Sequence, residues 1–320
     1  FIISNVFGWK VKSTGKRKYR EAYIEVPRKN GKSVLAAVIG LYMLTIDGEP
    51  GAEVYSGATS ERQAMEVFRP AWHMVHTDQE LKKELGLDMS GTAQNPTSIY
   101  CLETASRFEP LVWNPGDGPS PHCSIVDEYH EHKNANLYDS QMTGMGAREQ
   151  PLIVVVTTAG TSTGVPCYDK RAQCISILQG QVVNDSIFAI IFGLDDEDDW
   201  SDFNLWQKAN PNFGVSVMED YLKKQHTEAL QSAAKQNIIR CKHLNQWSNA
   251  GAAWMNMVEW SKCKDASLKI DGFAGEDCWI GVDLAAKVDI AAMVVMGRRM
   301  IMALARSYIF PYVVLPDEAG

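Results

Sequence analysis

Short, nearly continuous runs of apolar and β-branched residues punctuate the first part of the chain. They are Ala22-Tyr-Ile-Glu-Val26, Ala52-Glu-Val-Tyr-Ser56, Cys123-Ser-Ile-Val126, Leu152-Ile-Val-Val-Val156 and Ser186-Ile-Phe-Ala-Ile-Ile-Phe192. Between them lie helical patterns: an Ala-rich apolar run from Val34 to Leu44, and a stretch carrying Gln63, Met65, Val67 and Phe68. Strands that lack an in-and-out alternation are covered on both faces, so this order predicts an α/β fold around a parallel sheet. From about Trp200 to Asp271 helical patterns dominate, and tryptophans recur at Trp200, Trp206, Trp247, Trp254 and Trp260, where packing is their expected role. Cys278-Trp-Ile-Gly-Val-Asp-Leu284 then opens a new β pattern, paired with Ile290 to Met296 and with Met300 to Leu304. The expected divisions are a parallel-sheet domain over 1–195, a helical lid or linker over 196–272, and the beginning of a second domain over 273–320.

The turn after the first strand carries the most chemistry. Gly31-Lys32-Ser33 satisfies the end of the phosphate-loop pattern, with Val26 where the pattern has its first glycine. A strand before it and a helix after it supply the required context: backbone N–H groups wrap an anion, and the helix N-terminus adds its partial positive charge. Arg28, Lys29, Asn30, Gly31, Lys32 and Ser33 are therefore the expected nucleotide-binding residues, with Lys32 on the outer phosphates and Ser33 on magnesium.

Asp127-Glu128 ends the third apolar run. A carboxylate there suits a metal ion, and the next one suits a general base for attacking water. Asp127 is read as the metal residue and Glu128 as the base, because the carboxyl ends of parallel strands share one crevice. Thr157 and Thr158, ending the next run, suit sensing of the γ-phosphate. His122, Cys123, His130 and His132 lack the spacing of paired zinc ligands.

At 320 residues, with a net charge of -8, the chain is sized for about two domains and is not broadly basic. One basic run, Lys10, Lys12, Lys16, Arg17, Lys18 and Arg20, reads as a solvated loop, with phosphate contact as the alternative. The acidic run Asp195-Asp-Glu-Asp-Asp199 reads as a hydrated turn. Seven scattered cysteines fit free thiols in a reducing compartment. The absence of an initiator Met and of a signal-peptide layout suggests an internal fragment of a cytosolic protein.

Together, Pro27-Arg-Lys-Asn-Gly-Lys-Ser33, Val126-Asp-Glu-Tyr-His130, Thr157-Thr-Ala-Gly160, Lys208-Ala-Asn-Pro-Asn212 and Gly281-Val-Asp-Leu284 resemble the large terminase subunit of tailed bacteriophages, in its HK97-like branch. The resemblance spans nearly the whole chain. It implies a P-loop ATPase of the ASCE (RecA-like) type, a helical lid, and a nuclease of the RNase H type. It also makes the missing glycine a family trait and gives Arg28 a place in the catalytic loop.

By the same resemblance Asp283 would be the first carboxylate of a two-metal nuclease site taking Mg2+ or Mn2+, with Asp289 a weaker second ligand and the others beyond Gly320. The implied activity is ATP- and Mg2+-dependent translocation of double-stranded DNA into a procapsid and cutting of concatemers. The implied partners are DNA, a small terminase subunit, the portal protein and further copies in a ring, in the host-cell cytoplasm and away from membranes. A neighbouring subunit's arginine is expected to act in trans, with Arg107 and Arg148 as candidates. Two alternatives stand beside this: an Asp-Glu-x-His helicase, which Asp127-Glu-Tyr-His130 matches, and a non-hydrolysing P-loop regulatory module.

Overall fold

The computed structural model describes residues 1–112, 118–248, 267, 269–283, 291–301 and 304–314. It divides into two units, Phe1–Asn256 and Met257–Gly320.

In the first unit a helix, α1 (Ile2–Gly8), precedes strand β1 (Glu21–Glu25), which leads through the phosphate-loop sequence into α2 (Lys32–Thr45). Strand β2 (Glu53–Ala58) then feeds α3 (Glu61–Thr77), capped at its start by the Ser60 hydroxyl on the Gln63 N–H, and the short α4 (Gln79–Glu84). Three strands follow, β3 (Leu87–Gly91), β4 (Pro96–Cys101) and β5 (Ser106–Val112). After them come β6 (Cys123–Asp127), α5 (Asn136–Gly144), β7 (Leu152–Thr157), α6 (Pro166–Leu178) and β8 (Ile187–Ile191). Helices α7 (Trp206–Ala209), α8 (Glu219–Gln231) and α9 (Ala233–Leu244) complete the unit's described elements.

The strands form one eight-stranded sheet in the order β3-β4-β5-β2-β6-β7-β1-β8. From β5 to β8 all neighbours run parallel, as the buried apolar runs predicted, whereas β3 and β4 extend the β5 edge antiparallel. Strand side chains alternate between two separate cores. Ala22, Ile24, Cys123, Ile125, Val154 and Val156 join α2 and α3 on one face. Tyr23, Val126, Ile153 and Val155 join Cys167 and Cys174 of α6 on the other. Helix α2 lies so close to the sheet that a Cβ on Gly40 would sit 2.7 Å from the Phe108 ring.

The basic run near the N-terminus is not simply a solvated loop. Arg17 is buried, pairing with Asp47 at 2.5 Å and donating to the Gln150 carbonyl, while Lys18 and Lys16 reach Asp185 and Glu149. This buried ion pair fastens the loop to the turn after α2, while Lys10 and Lys12 stay exposed. The acidic turn is gathered on Lys208, whose Nζ lies 2.5 Å from both Asp195 and Asp198. Trp206 and Trp200 are buried, while Trp254 and Trp260 lie outside the described residues.

In the second unit β9 (Asp277–Asp283), β10 (Ala291–Ile301) and β11 (Leu304–Val314) form an antiparallel sheet in the order β11-β10-β9. Met300 to Leu304, expected as a separate strand, instead holds the end of β10 and the start of β11. Asp283 ends β9 opposite Ala292. Asp289 and Leu284 lie outside the described residues. Among the described residues no helix is long and apolar enough to cross a membrane.

Candidate nucleotide site

In register, the sheet lays Glu25 beside Thr157, Val156 beside Asp127, and Val126 beside Gly57. The four loops that leave β1, β7, β6 and β2 therefore emerge side by side, and with the strand ends they carry the residues predicted for nucleotide chemistry in the first unit, apart from the two arginine candidates.

Between β1 and α2, Lys29 (φ 69°) and Gly31 (φ 79°) take left-handed backbones. Glycine does so freely; for lysine the conformation costs on the order of 1 kcal/mol, so the surroundings must hold it. Val26, in the place of the missing glycine, is buried in the α2-side core. Its N–H donates to the Thr157 carbonyl, and that of Arg28 donates to the Lys242 carbonyl. By contrast, the N–H groups of Lys29, Asn30, Gly31, Lys32 and Ser33 have no acceptor among the described residues. Five unused donors at the start of α2 form a cradle for an anion.

All of these but Asn30 border an open cleft of about 980 Å³, which Arg28, Ser33, Asp127 and Glu128 share with Arg62 and Gln63 of α3. Lys32 is buried, with Nζ 3.5 Å from Glu128 Oε1. Burial, aided by the Glu128 carboxylate beside it, pushes the Asp127 carboxyl up to about 7, against the pull of Lys32 and of the Glu128 N–H it accepts from at 2.9 Å. Glu128 has a left-handed backbone (φ 46°); its Oε1 faces Lys32 and its buried Oε2 lies 3.2 Å from His130 Nδ1.

The donor set fits the magnesium ion that the resemblance implies. Asp127 offers a buried carboxylate whose charged form a cation would favour, and Ser33 a hydroxyl in the same cleft, both hard oxygen donors. No group of three or more His, Cys, Asp and Glu is arranged for a metal among the described residues, so phosphate oxygens and water would complete the shell.

His130 joins this site to two more elements. Its Nδ1 lies 3.1 Å from Thr157 Oγ1 and 3.2 Å from Glu128 Oε2, and its Nε2 lies 3.0 Å from Lys242 Nζ on α9. Burial, with Lys242, Lys32 and Arg28 nearby, holds its pKa down at about 2, so the ring is neutral and accepts from Lys242. Thr158 is buried beside the same ring, with Oγ1 3.5 Å away. Sequence reasoning weighed His130 as a zinc ligand and as the end of an Asp-Glu-x-His motif, gave it no role in the nucleotide site, and missed Lys242, which no local pattern marks. His122 and His132 are also engaged elsewhere, on Asp47 and on the Asp127 carbonyl.

The arginine candidates sit at the other end of the sheet. Arg107 stands opposite Glu53, the first residue of β2, and contacts Glu53, Glu109 and the Tyr55 hydroxyl. Arg148 is held by the Ser120 carbonyl and Glu49. Of the nuclease residues only the backbone of Asp283 is placed, in the second unit.

Comparison with known proteins agrees with this geometry. The family model "Terminase large subunit, ATPase domain" matches residues 1–174, and "Terminase large subunit, endonuclease domain" matches residues 181–319. Protein YmfN of Escherichia coli K12 is 43% identical over 222 residues, 69% of this chain and 48% of that protein. The large terminase subunit of Enterobacteria phage HK97 is 24% identical over 282 residues, covering 86% of this chain and 53% of that one. The chain thus spans about half the length of the curated relatives it matches. The crystal structure of the HK97 bacteriophage large terminase superposes with a TM-score of 0.63 at 21% identity, over 99% of this chain and 68% of that one, a likeness of fold. A phosphate-loop unit of this architecture, matched over more than half the chain by the family's ATPase model, makes the protein a member of the terminase large subunit family.

Proposed function

We propose that the first unit is the ATPase of a viral DNA-packaging motor, and that the parent protein drives double-stranded DNA into a procapsid and cuts concatemers. The observation that carries the reading is the cleft that Lys29, Gly31, Lys32 and Ser33, with their unused N–H groups, share with Asp127 and Glu128. Arg28, Lys32 and the loop N–H groups bind the phosphates of ATP. Ser33 and Asp127 hold magnesium, which supplies charge neutralisation along the phosphates when bound. Glu128 takes the proton of the attacking water as that oxygen bonds to the γ-phosphorus and the bond to the bridging oxygen breaks. Thr157 and Thr158 sense the γ-phosphate, with His130 passing its state to Lys242 on α9.

We assign residues 1–195 to the ATPase domain, 196–272 to the lid and 273–320 to the nuclease, where Asp283 is the first ligand for Mg2+ or Mn2+. The partners are double-stranded DNA, the small terminase subunit, the portal and further copies of the chain in a ring, in the host-cell cytoplasm. The antiparallel sheet of the second unit speaks against a helicase, which would continue into a second parallel-sheet domain.

The test is phosphate release with and without double-stranded DNA, for the unmodified protein and for Glu128→Gln. DNA-stimulated turnover that Glu128→Gln reduces at least about 100-fold supports the reading. ATP binding without turnover, even with DNA and partners present, overturns the motor, and equal turnover by Glu128→Gln overturns the choice of base.

A further inference from the structure

The Lys208-Ala-Asn-Pro-Asn212 segment marks the resemblance but has no part in the chemistry above. Its side chains meet the phosphate loop across some 180 residues of sequence. Asn30 and Asn212 bind each other reciprocally: Asn30 Oδ1 accepts from the Asn212 N–H at 3.1 Å, and Asn212 Nδ2 donates to the Asn30 carbonyl at 3.2 Å. Asn30 Nδ2 also donates to Asn210 Oδ1 at 2.9 Å and, within the loop, contacts the Pro27 and Arg28 carbonyls at 3.2 Å each. The Ser216 hydroxyl donates to the Lys29 carbonyl at 2.6 Å. Asn210 is anchored in turn, its Nδ2 donating to the Trp206 and His243 carbonyls.

The pattern solves a specific problem. A loop that aims successive N–H groups at an anion must turn its carbonyls away, and buried carbonyls need donors. Here the carbonyls of Pro27, Arg28, Lys29 and Asn30 all find side-chain donors, while the N–H groups from Lys29 to Ser33 stay unused. Three donor groups serve them: Asn30 Nδ2 is shared by Pro27 and Arg28, and the other two come from Asn212 and Ser216. They also brace the residues with left-handed backbones: Ser216 holds Lys29, and a Cβ on Gly31 would lie 3.2 Å from Asn212 Nδ2.

We infer that Asn210, Asn212 and Ser216 are positioning residues that hold the phosphate loop in its anion-binding shape, doing from outside what the first glycine of the usual loop does from within. This rests on the reading of residues 26–33 as a nucleotide loop. Movement of the α7 segment is thereby linked to nucleotide affinity.

The experiment measures steady-state ATP hydrolysis and binding of a non-hydrolysable ATP analogue, together with Tm, for the full chain and for Ser216→Ala, Asn212→Ala and Asn212→Asp. Ser216 is exposed, so its replacement does not threaten folding. Loss of one such hydrogen bond predicts a KM for ATP raised roughly three- to tenfold, with kcat within about twofold and Tm unchanged within about 2 °C. Asn212→Asp, which cannot donate to the Asn30 carbonyl, should be at least as impaired as Asn212→Ala. In a cycle with Asn30→Ala the two losses should be non-additive, because each removes the same pair. Unchanged KM, or losses of KM and Tm that move together, overturn the inference. Failure of the unmodified chain to bind the analogue instead overturns the nucleotide-loop reading itself.

Discussion

Lys32 Nζ lies 3.5 Å from Glu128 Oε1, so the cation proposed to read the phosphates and the carboxylate proposed to activate water are partners. On that reading ATP phosphates would compete with Glu128 for Lys32, and an entering nucleotide would set the base free. Glu128→Gln removes the competing charge. It should keep or tighten ATP-analogue affinity, by up to about fivefold, while turnover collapses; Lys32→Ala should lose binding as well. Titration calorimetry of both variants checks the pair.

Asp127 carries a second prediction. Its folded-state pKa, raised to about 7 from an ordinary value of 3.8, means that the folded protein holds a proton the unfolded chain releases. This stabilising contribution is full below about pH 4 and is lost as pH rises through 7, costing at most about 4 kcal/mol above that. Asp127→Asn should therefore raise Tm by several degrees at pH 8, with little change at pH 4, while abolishing Mg-ATP hydrolysis. Thermal melts at the two pH values measure it.

Two buried histidines act in the opposite direction. Burial holds His130 at about 2 and, with Arg28 nearby, His243 at about 4, both below the ordinary 6.5. Depressed values make the unfolded chain the better proton acceptor, so stability falls as pH drops below about 6.5. His243→Gln should flatten the denaturation profile between pH 6.5 and 4, by up to about 3 kcal/mol. Urea midpoints across that window give the comparison.

Packing over the sheet yields a prediction remote from the chemistry. A side chain at Gly40 meets Phe108 at 2.7 Å, and Phe108 is itself wedged edge-on against Phe68 at 5.2 Å between centroids. Gly40→Ala should destabilise the first unit by about 1–3 kcal/mol, and Gly40→Val by more, despite the better helix propensity of alanine. Equilibrium unfolding would reveal it, with ATP affinity of the folded fraction unchanged.

The parallel strands were legible in the sequence because burial on both faces leaves uninterrupted apolar runs such as Leu152 to Val156. Strands β3 to β5 were not, since Ile99 is buried while its neighbours Ser98 and Tyr100 are only partly covered, and no alternation stands out. Arg28, Lys32, Ser33, Asp127 and Glu128 could be read because each lies at or just after the end of a strand in a short motif. Their proximity in one cleft needed only the rule for parallel sheets. His130 with Lys242, and Asn30 with Asn212, were invisible for a different reason: each pair joins segments more than 100 residues apart by one or two polar contacts, and nothing periodic announces such a bond.

The end of α9 crosses the carboxyl ends of three neighbouring strands. Lys242 receives the Arg28 N–H beside β1, Cys241 Sγ and Asn245 Oδ1 reach the two sides of Ala159 beyond β7, and Asn245 Nδ2 and the Leu244 carbonyl meet Phe192 and Leu194 beyond β8. Adjacent strands lie about 4.8 Å apart, so these footholds span roughly 10 Å, while twelve helical residues make a rod about 18 Å long. A rod resting on three supports at one end cannot follow one of them alone. A shift of one foothold would tilt it, and the larger excursion would fall at its far end, beside the α8 turn.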